Sequence, residues 1–243
     1  MQFIVIDTAD ARGSVAVFRD NSCLSVESHG SDEDYSSWLL PAAQRALSGS
    51  GLTLSQLDGY AVCAGPGSFT GLRVGLTTVK AWAELYGMPI AAVSRLDAIA
   101  SSSPDDLTPD KSYVASIIDA RREQVFAALY QRTGLRLAIC GTEAVVGLED
   151  FIASVEAAAV AGGAMWRTPD PQILGASPRW QELLAAGHTL HPTPPPFALQ
   201  LGNIALRKFH AGQVVSSLEL DANYVRRSDA EVFWKAHAPA IKV

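Results

Sequence analysis

Sulfur is scarce in this chain of 243 residues, which has three cysteines (Cys23, Cys63 and Cys140) and three methionines. No Cys-x-x-Cys occurs, and cysteines so widely spaced read as reduced thiols, which argues against a disulfide framework. Positive charge is also short: 19 Lys and Arg stand against 25 Asp and Glu, a net charge of −6. That balance lacks the footprint of an autonomous nucleic-acid or membrane-surface binder. Apolar runs stay well below the ~18 residues that suggest a membrane span. The start, MQFIVIDTAD, meets Asp7 after four apolar residues, without the basic and long apolar regions of a secretory signal. The expected location is the cytoplasm.

Familiar catalytic signatures are missing too. Thr70-Gly71 is followed by Leu72, so no Walker A loop exists, and Gly65, Gly67 and Gly71 are spaced GxGxxxG, unlike a dinucleotide fingerprint. No Gly-x-Ser-x-Gly surrounds Ser68. Of the five histidines (His29, His188, His191, His210 and His237), only His188 and His191 are close, and no HExxH or CxxC supports them. They read as surface residues, and no metal site is expected.

What is present is a core and a pattern. Hydrophobic residues make up 48% of the chain, enough to bury one large domain or two small ones. Strands are expected at Phe3–Ile6, Ser14–Phe18 and Leu24–Ser28. A helix follows from an N-cap at Ser36 or Ser37, with Pro41 tolerable only in its first turn. Tyr60–Ala64 is a strand that runs into Gly65-Pro66-Gly67-Ser68-Phe69-Thr70-Gly71-Leu72-Arg73-Val74-Gly75 and a helix to Leu85. Pro89–Val93 and Leu96–Ala100 complete the first half, and polar Ser101–Lys111 reads as a linker.

The pattern then restarts. Ile117-Ile118-Asp119 with its turn and strand resembles Val5-Ile6-Asp7. Strands are expected at Tyr113–Ile118, Gln124–Tyr130, Leu135–Ile139 and Ala157–Ala161, with Leu148–Ser154 helical. Arg167–Pro178 reads as a loop, and helices follow at Pro178–Ala186 and Pro196–Ala211. An offset of half the chain marks an internal duplication. Meandering strands followed by α/β crossovers give a mixed sheet with helices on its faces. The fold class is therefore α/β, the actin-like ATPase (ASKHA) superfold, with two lobes from a duplicated mixed-sheet unit and flanking helices. The expected lobes are 1–103 and 104–243, the last helix free to dock back on the first.

In that superfold the first hairpin of each half grips phosphates through Asp-x-Gly, where glycine lets N–H groups approach. Here the turns read Asp7-Thr8-Ala9 and Asp119-Ala120-Arg121, without the glycine. Asp7, Thr8 and Asp119 are weak nucleotide candidates, and capping of strand ends is the stronger reading for the carboxylates. The glycine-rich loop reads as a tight helix entrance, with Gly71 and Gly75 on one face leaving a groove for a neighbouring helix. Arg121, Arg122 and Arg226 fit solvated faces, although arginines at a turn can also grip a partner's carboxylates or a phosphate.

The chain resembles the TsaB (YeaZ) family. The resemblance rests on Ile6-Asp7-Thr8, Leu39-Leu40-Pro41, Ala64-GPGSFTGLRVG, Asp119-Ala-Arg-Arg-Glu-Gln-Val-Phe126 and Tyr224-Val-Arg226-Arg-Ser-Asp-Ala-Glu231. GPGSFTGLR is the most specific of these. The chain departs from the family at Tyr35, where a histidine is common, and at Ala161-Gly162-Gly163, where Gly-Asp-Gly is common. Membership implies a cytosolic, non-catalytic dimerisation subunit for threonylcarbamoyl transfer to the adenosine beside the tRNA anticodon. It implies pairing with the catalytic paralogue TsaD and the ATPase TsaE, homodimers when alone, and tRNA contact only through the complex. ATP or ADP would then sit only at a complex interface. The paralogue's His-x-x-x-His metal pair aligns with Arg95 and Ile99, neither of which can serve as a metal ligand. The interface is expected to use Trp38, Leu39, Leu72, Gly75, Leu76 and Val79. The competing readings are an ATP-dependent small-molecule kinase or ATPase of the same superfold and, more remotely, a metallopeptidase-like hydrolase.

Overall fold

The computed structural model describes residues 1–30, 33–102, 112–134, 136–159, 162–223 and 225. The first lobe holds β1 (Gln2–Asp7), β2 (Ser14–Arg19), β3 (Ser22–Ser28), α1 (Tyr35–Ser50), β4 (Gly59–Gly65), α2 (Phe69–Tyr86), β5 (Ile90–Ser94) and α3 (Arg95–Ala100). The second holds β6 (Tyr113–Asp119), β7 (Gln124–Thr133), β8 (Arg136–Ile139), β9 (Ala144–Gly147), α4 (Leu148–Ala158), β10 (Ala164–Thr168), α5 (Gln172–Gly175), α6 (Trp180–Ala185) and β11 (Thr189–Pro192). A final helix, α7 (Ala198–His210), returns to the first sheet, packing on β5, β1, β2 and β4.

The two sheets share one topology. The first runs β3-β2-β1-β4-β5 and the second β8-β7-β6-β10-β11, with β9 paired to β7. In each, the lead strand is antiparallel to its hairpin partner and parallel to the strand beyond the crossover. The duplicated unit expected from the sequence is therefore present. Alternation along β1 explains the layering. Phe3 stacks on Phe18 with ring centroids 5.2 Å apart and meets Phe209 of α7. Ile6 lies beneath Gly75 of α2. Helices thus cover both faces, and each large side chain fully buried this way contributes roughly 1.5–3 kcal/mol.

Several elements differ from the sequence reading. Helix α1 starts at Tyr35 behind an Asp34 N-cap, so Pro41 lies beyond its first turn. Burial of Ala42, Ala43, Ala46 and Leu47 outweighs the roughly 3 kcal/mol that an interior proline costs. The apolar run expected as a strand at Ala157–Ala161 instead opens on the end of α4, which closes at Ala158. Val160 and Ala161 lie outside the described residues, and the strand itself starts at Ala164. There Trp166 is fully buried between β6 and β11. The expected loop from Arg167 contains the end of β10 and all of α5. Strands β9 and β11 are four residues each, too short to register as periodic. Most of the expected linker, residues 103–111, lies outside the described residues, as does Arg226.

Candidate functional site

The two lead strands end at equivalent places. Asp7 Oδ1 accepts from the Ala9 amide at 3.0 Å, and Asp119 Oδ1 accepts from the Arg121 amide at 2.7 Å. Each carboxylate thus caps the turn after its strand. The turns face one another across a cleft of about 890 Å³. Its walls come from Ala9–Arg12, Pro66–Phe69 and Leu72 on one side and Ile118–Arg121, Phe126 and Asp170 on the other, with Asn223 and Val225 closing one edge.

The glycine-rich loop forms part of this wall, and its glycines answer to the end of β1 and the turn that follows it. A Cβ at Gly67 would stand 2.2 Å from the Ala9 carbonyl oxygen, one at Gly71 2.1 Å from that of Thr8, and one at Gly75 2.4 Å from Thr8 Oγ1. Thr8 Oγ1 donates to the Gly71 carbonyl at 2.7 Å, and the Ser68 amide donates to Ala9 O at 2.6 Å. Ser68 Oγ caps the helix by accepting from Gly71 N. Gly65, at φ 110°, lies against the Asn223 carbonyl. Gly71 and Gly75 therefore admit the chain's own first strand and leave no groove there for a partner helix. Phe69, Thr70 and Arg73 face outward, the Arg73 guanidinium 3.8 Å from the Phe69 ring centre.

The expected interface residues are corrected in the same way. Trp38, Leu39, Leu72, Gly75, Leu76 and Val79 are buried in the first lobe's own core. The outward faces of α1 and α2 instead carry Leu40, Gln44, Arg73, Thr77, Ala81 and Leu85. His188 also departs from the surface reading. It is buried, and its Nδ1 accepts from Ala164 N and Trp166 Nε1. Burial lowers its pKa, which keeps the ring a neutral acceptor.

Arg95 lies at the base of the cleft, at the start of α3, and is completely buried. Its Nη2 is 2.8 Å from Asp10 Oδ2 and 4.0 Å from Asp7 Oδ2, and its guanidinium lies 5.1 Å from the Phe197 ring centre. The uneven distances divide the two acids. Burial opposes ionisation of Asp10, but Arg95 and Arg12 outweigh it and hold the carboxyl at about 2. Burial dominates at Asp7 and raises its pKa, with Arg95 only a partial offset.

The sequence reading missed the next link. Arg12 binds Asp10 through Nε and Nη2, at 3.1 and 2.7 Å, and reaches Asp170 in the other lobe through Nη1 at 3.1 Å. Asp170 Oδ2 in turn accepts from the Asp119 amide at 3.3 Å. Arg95, Asp10, Arg12 and Asp170 form one chain of alternating charge across the cleft. A second link joins Glu143 of the second lobe to Ser94 Oγ of the first and to Asn223 Nδ2. The repeated tripeptide Asp-Ala-Arg, at 10–12 and 119–121, was a signal for the first link. Asp170 and Glu143 carry no local signature.

The groups that the superfold would hold here do not fit these residues. A guanidinium occupies the space beside Asp7 and Asp10, where a divalent cation would be repelled. Ala9 and Arg121 replace the glycines that would bring N–H groups to a phosphate. Among the described residues, no three His, Cys, Asp or Glu side chains are grouped to hold a metal ion, and no helix is long and apolar enough to cross a membrane.

Comparison with known proteins sets this geometry in a family. The profile of TsaD, tRNA N6-adenosine threonylcarbamoyltransferase, matches residues 29–190. The Bacillus subtilis tRNA threonylcarbamoyladenosine biosynthesis protein TsaB is 32% identical over 133 residues, which cover 54% of this chain and 56% of that protein. The chain thus spans about half the length of the curated relatives it matches. YeaZ from Pseudomonas aeruginosa superposes with a TM-score of 0.74 at 25% identity, covering 92% of this chain and 99% of that one. ROK hexokinase from Thermus thermophilus, at 14% identity and a TM-score of 0.51, covers 88% of this chain and 100% of that one and shares the fold alone. The chain belongs to the tRNA N6-adenosine threonylcarbamoyltransferase family, in its TsaB/YeaZ group.

Proposed function

We propose that this chain is a non-catalytic scaffold subunit for threonylcarbamoyl transfer to tRNA. In this reading it binds the catalytic paralogue TsaD and the ATPase TsaE, pairs with itself when alone, and meets tRNA only through the complex. Residues 1–103 form the partner-binding lobe and 104–243 the second. The observation that carries the reading is Arg95. A buried cation paired with Asp10 stands where transfer chemistry would call for a metal ligand, and buried Ile99 fills the other aligned position.

The partner surface in this reading is the outward face of α1 and α2. Leu40 and Leu85 are exposed there, Leu85 at 72%, among the small side chains of Thr77 and Ala81. Apolar and small residues suit the centre of a helix–helix interface. Copurification with TsaD tests this placement. Ala81→Arg with Leu85→Glu is expected to abolish the complex while leaving the unfolding midpoint unchanged. An intact complex would show that the interface lies elsewhere.

A further inference from the structure

His29 follows β3, where its amide donates to the Gly13 carbonyl at 2.9 Å. Its half-buried ring bridges two segments. Nδ1 lies 2.9 Å from the carbonyl oxygen of Ala11, in the turn between β1 and β2 that walls the cleft. Nε2 lies 2.7 Å from the carbonyl oxygen of Glu33, just before α1. A carbonyl oxygen only accepts, and a neutral imidazole has one N–H to give. The two bonds together therefore require the imidazolium; a neutral ring would set a nitrogen lone pair against an oxygen lone pair. The surroundings suit a cation. The ring stacks on Tyr35 with centroids 4.2 Å apart and meets Trp38 at 4.9 Å and 84°, and aromatic rings attract positive charge.

We propose that His29, as imidazolium, is a proton-dependent clasp that fastens the entrance of α1 to the cleft turn and makes partner binding through α1 sensitive to pH. The inference rests on the scaffold reading and adds a control to it. Tyr35, the first residue of α1, continues the fastening: its hydroxyl accepts from Gly13 N at 2.8 Å and donates to the Asp10 carbonyl. The same turn carries Arg12, which reaches Asp170 in the other lobe. One ring thus joins the helix that would meet a partner to the turn that ties the two lobes. The charged groups on the segments around it are Asp7 at the end of β1, Asp10 and Arg12 in the turn, Glu27 on β3, and Glu33 and Asp34 before α1. Asp10, Arg12 and Glu27 are engaged with Arg95, Asp170 and Arg45. The clasped form holds the extra proton, so the clasp is complete at the acid end and loosens as pH rises.

The test reads the ring and the binding separately. Nitrogen NMR of the wild-type chain with isotope-labelled histidine is expected to show both His29 ring nitrogens protonated at about pH 6 and one of them losing its proton on the way to about pH 8. TsaD affinity, measured by calorimetry over the same range, is expected to weaken by roughly fivefold, the worth of one hydrogen bond. His29→Gln should lack that step and bind at the weaker level throughout. It keeps Asp7 and the other charged groups, so the difference between the two profiles isolates the ring. A wild-type ring with a single N–H across the whole range overturns the clasp. A His29→Gln profile that matches the wild type overturns the coupling and leaves the scaffold reading standing. A wild-type chain that does not bind TsaD at any pH overturns the scaffold reading and the coupling together, while the ring nitrogens still decide the clasp.

Discussion

Gly71→Ala is the sharpest perturbation of the packing account. The new Cβ would start 2.1 Å from the Thr8 carbonyl oxygen, against an ordinary contact of 3.4–4 Å. That oxygen is buried backbone just past the end of a central strand, so α2 must retreat by roughly 1 Å, and overpacking of this kind costs about 1–3 kcal/mol. The retreat also strains the buried Thr8 Oγ1 to Gly71 O bond, worth about 1 kcal/mol. Alanine's helix propensity returns about 1 kcal/mol. The net loss is about 2 kcal/mol, or roughly 4–8 °C in melting temperature for a domain of this size. Urea unfolding followed by circular dichroism measures it, with Gly175→Ala as control because a Cβ there meets nothing within 4 Å. Gly75→Ala should fall between the two, since its clash is with a side-chain hydroxyl. Equal midpoints for Gly71→Ala and Gly175→Ala would refute the claim that these glycines exist to admit β1.

Asp10 and Asp7 should respond oppositely. Asp10 titrates near 2 in the folded chain against 3.8 when free, so it stabilises above the free value by about 2 kcal/mol. That contribution fades as pH falls from near 4 through 2, and Asp10→Asn should remove it in acid titrations of stability. Asp7 has a raised pKa, so its ionisation opposes folding above the folded value. Asp7→Asn should therefore leave stability at pH 7 equal or higher, and a loss matching Asp10→Asn would contradict this division. A double-mutant cycle of Arg12→Ala and Asp170→Asn should give a coupling on the order of 1 kcal/mol, kept modest by solvent screening at partly exposed Arg12; a zero coupling would remove the bridge between the lobes. Thiol labelling should modify exposed Cys140 rapidly and leave Cys63, buried with its pKa raised, unreacted until unfolding.

The duplicated mixed-sheet unit was legible because each half repeats an apolar lead strand ending in aspartate. Asp7 and Asp119 mark the same point of the same unit, and strand pairing there follows from hydrophobic pattern. The strand at Ala164–Thr168 was misplaced because Ala157–Ala159 is equally apolar, and periodicity alone cannot separate a buried helix end from a buried strand. The faces of α1 and α2 were not legible either. A helix resting on a sheet and one resting on a partner expose similar stripes, and only the contacts of Gly75 with Thr8 and Ile6 show which face turns inward. The ion chain through Arg12 was only half legible: Asp10 and Arg12 stand in a repeated Asp-Ala-Arg, but Asp170 lies 160 residues from Asp10 in sequence and carries no local signature.

The scaffold claim is tested most directly by a single transfer assay with three protein sets: this chain alone, TsaD with TsaE, and all three together, each with ATP, tRNA and the threonylcarbamoyl donor. The scaffold account predicts no modified tRNA from the chain alone, little from TsaD with TsaE, and full activity from the mixture, with the chain in the same particle as TsaD by light scattering. Modified tRNA from the chain alone, or full activity without it, would contradict the account.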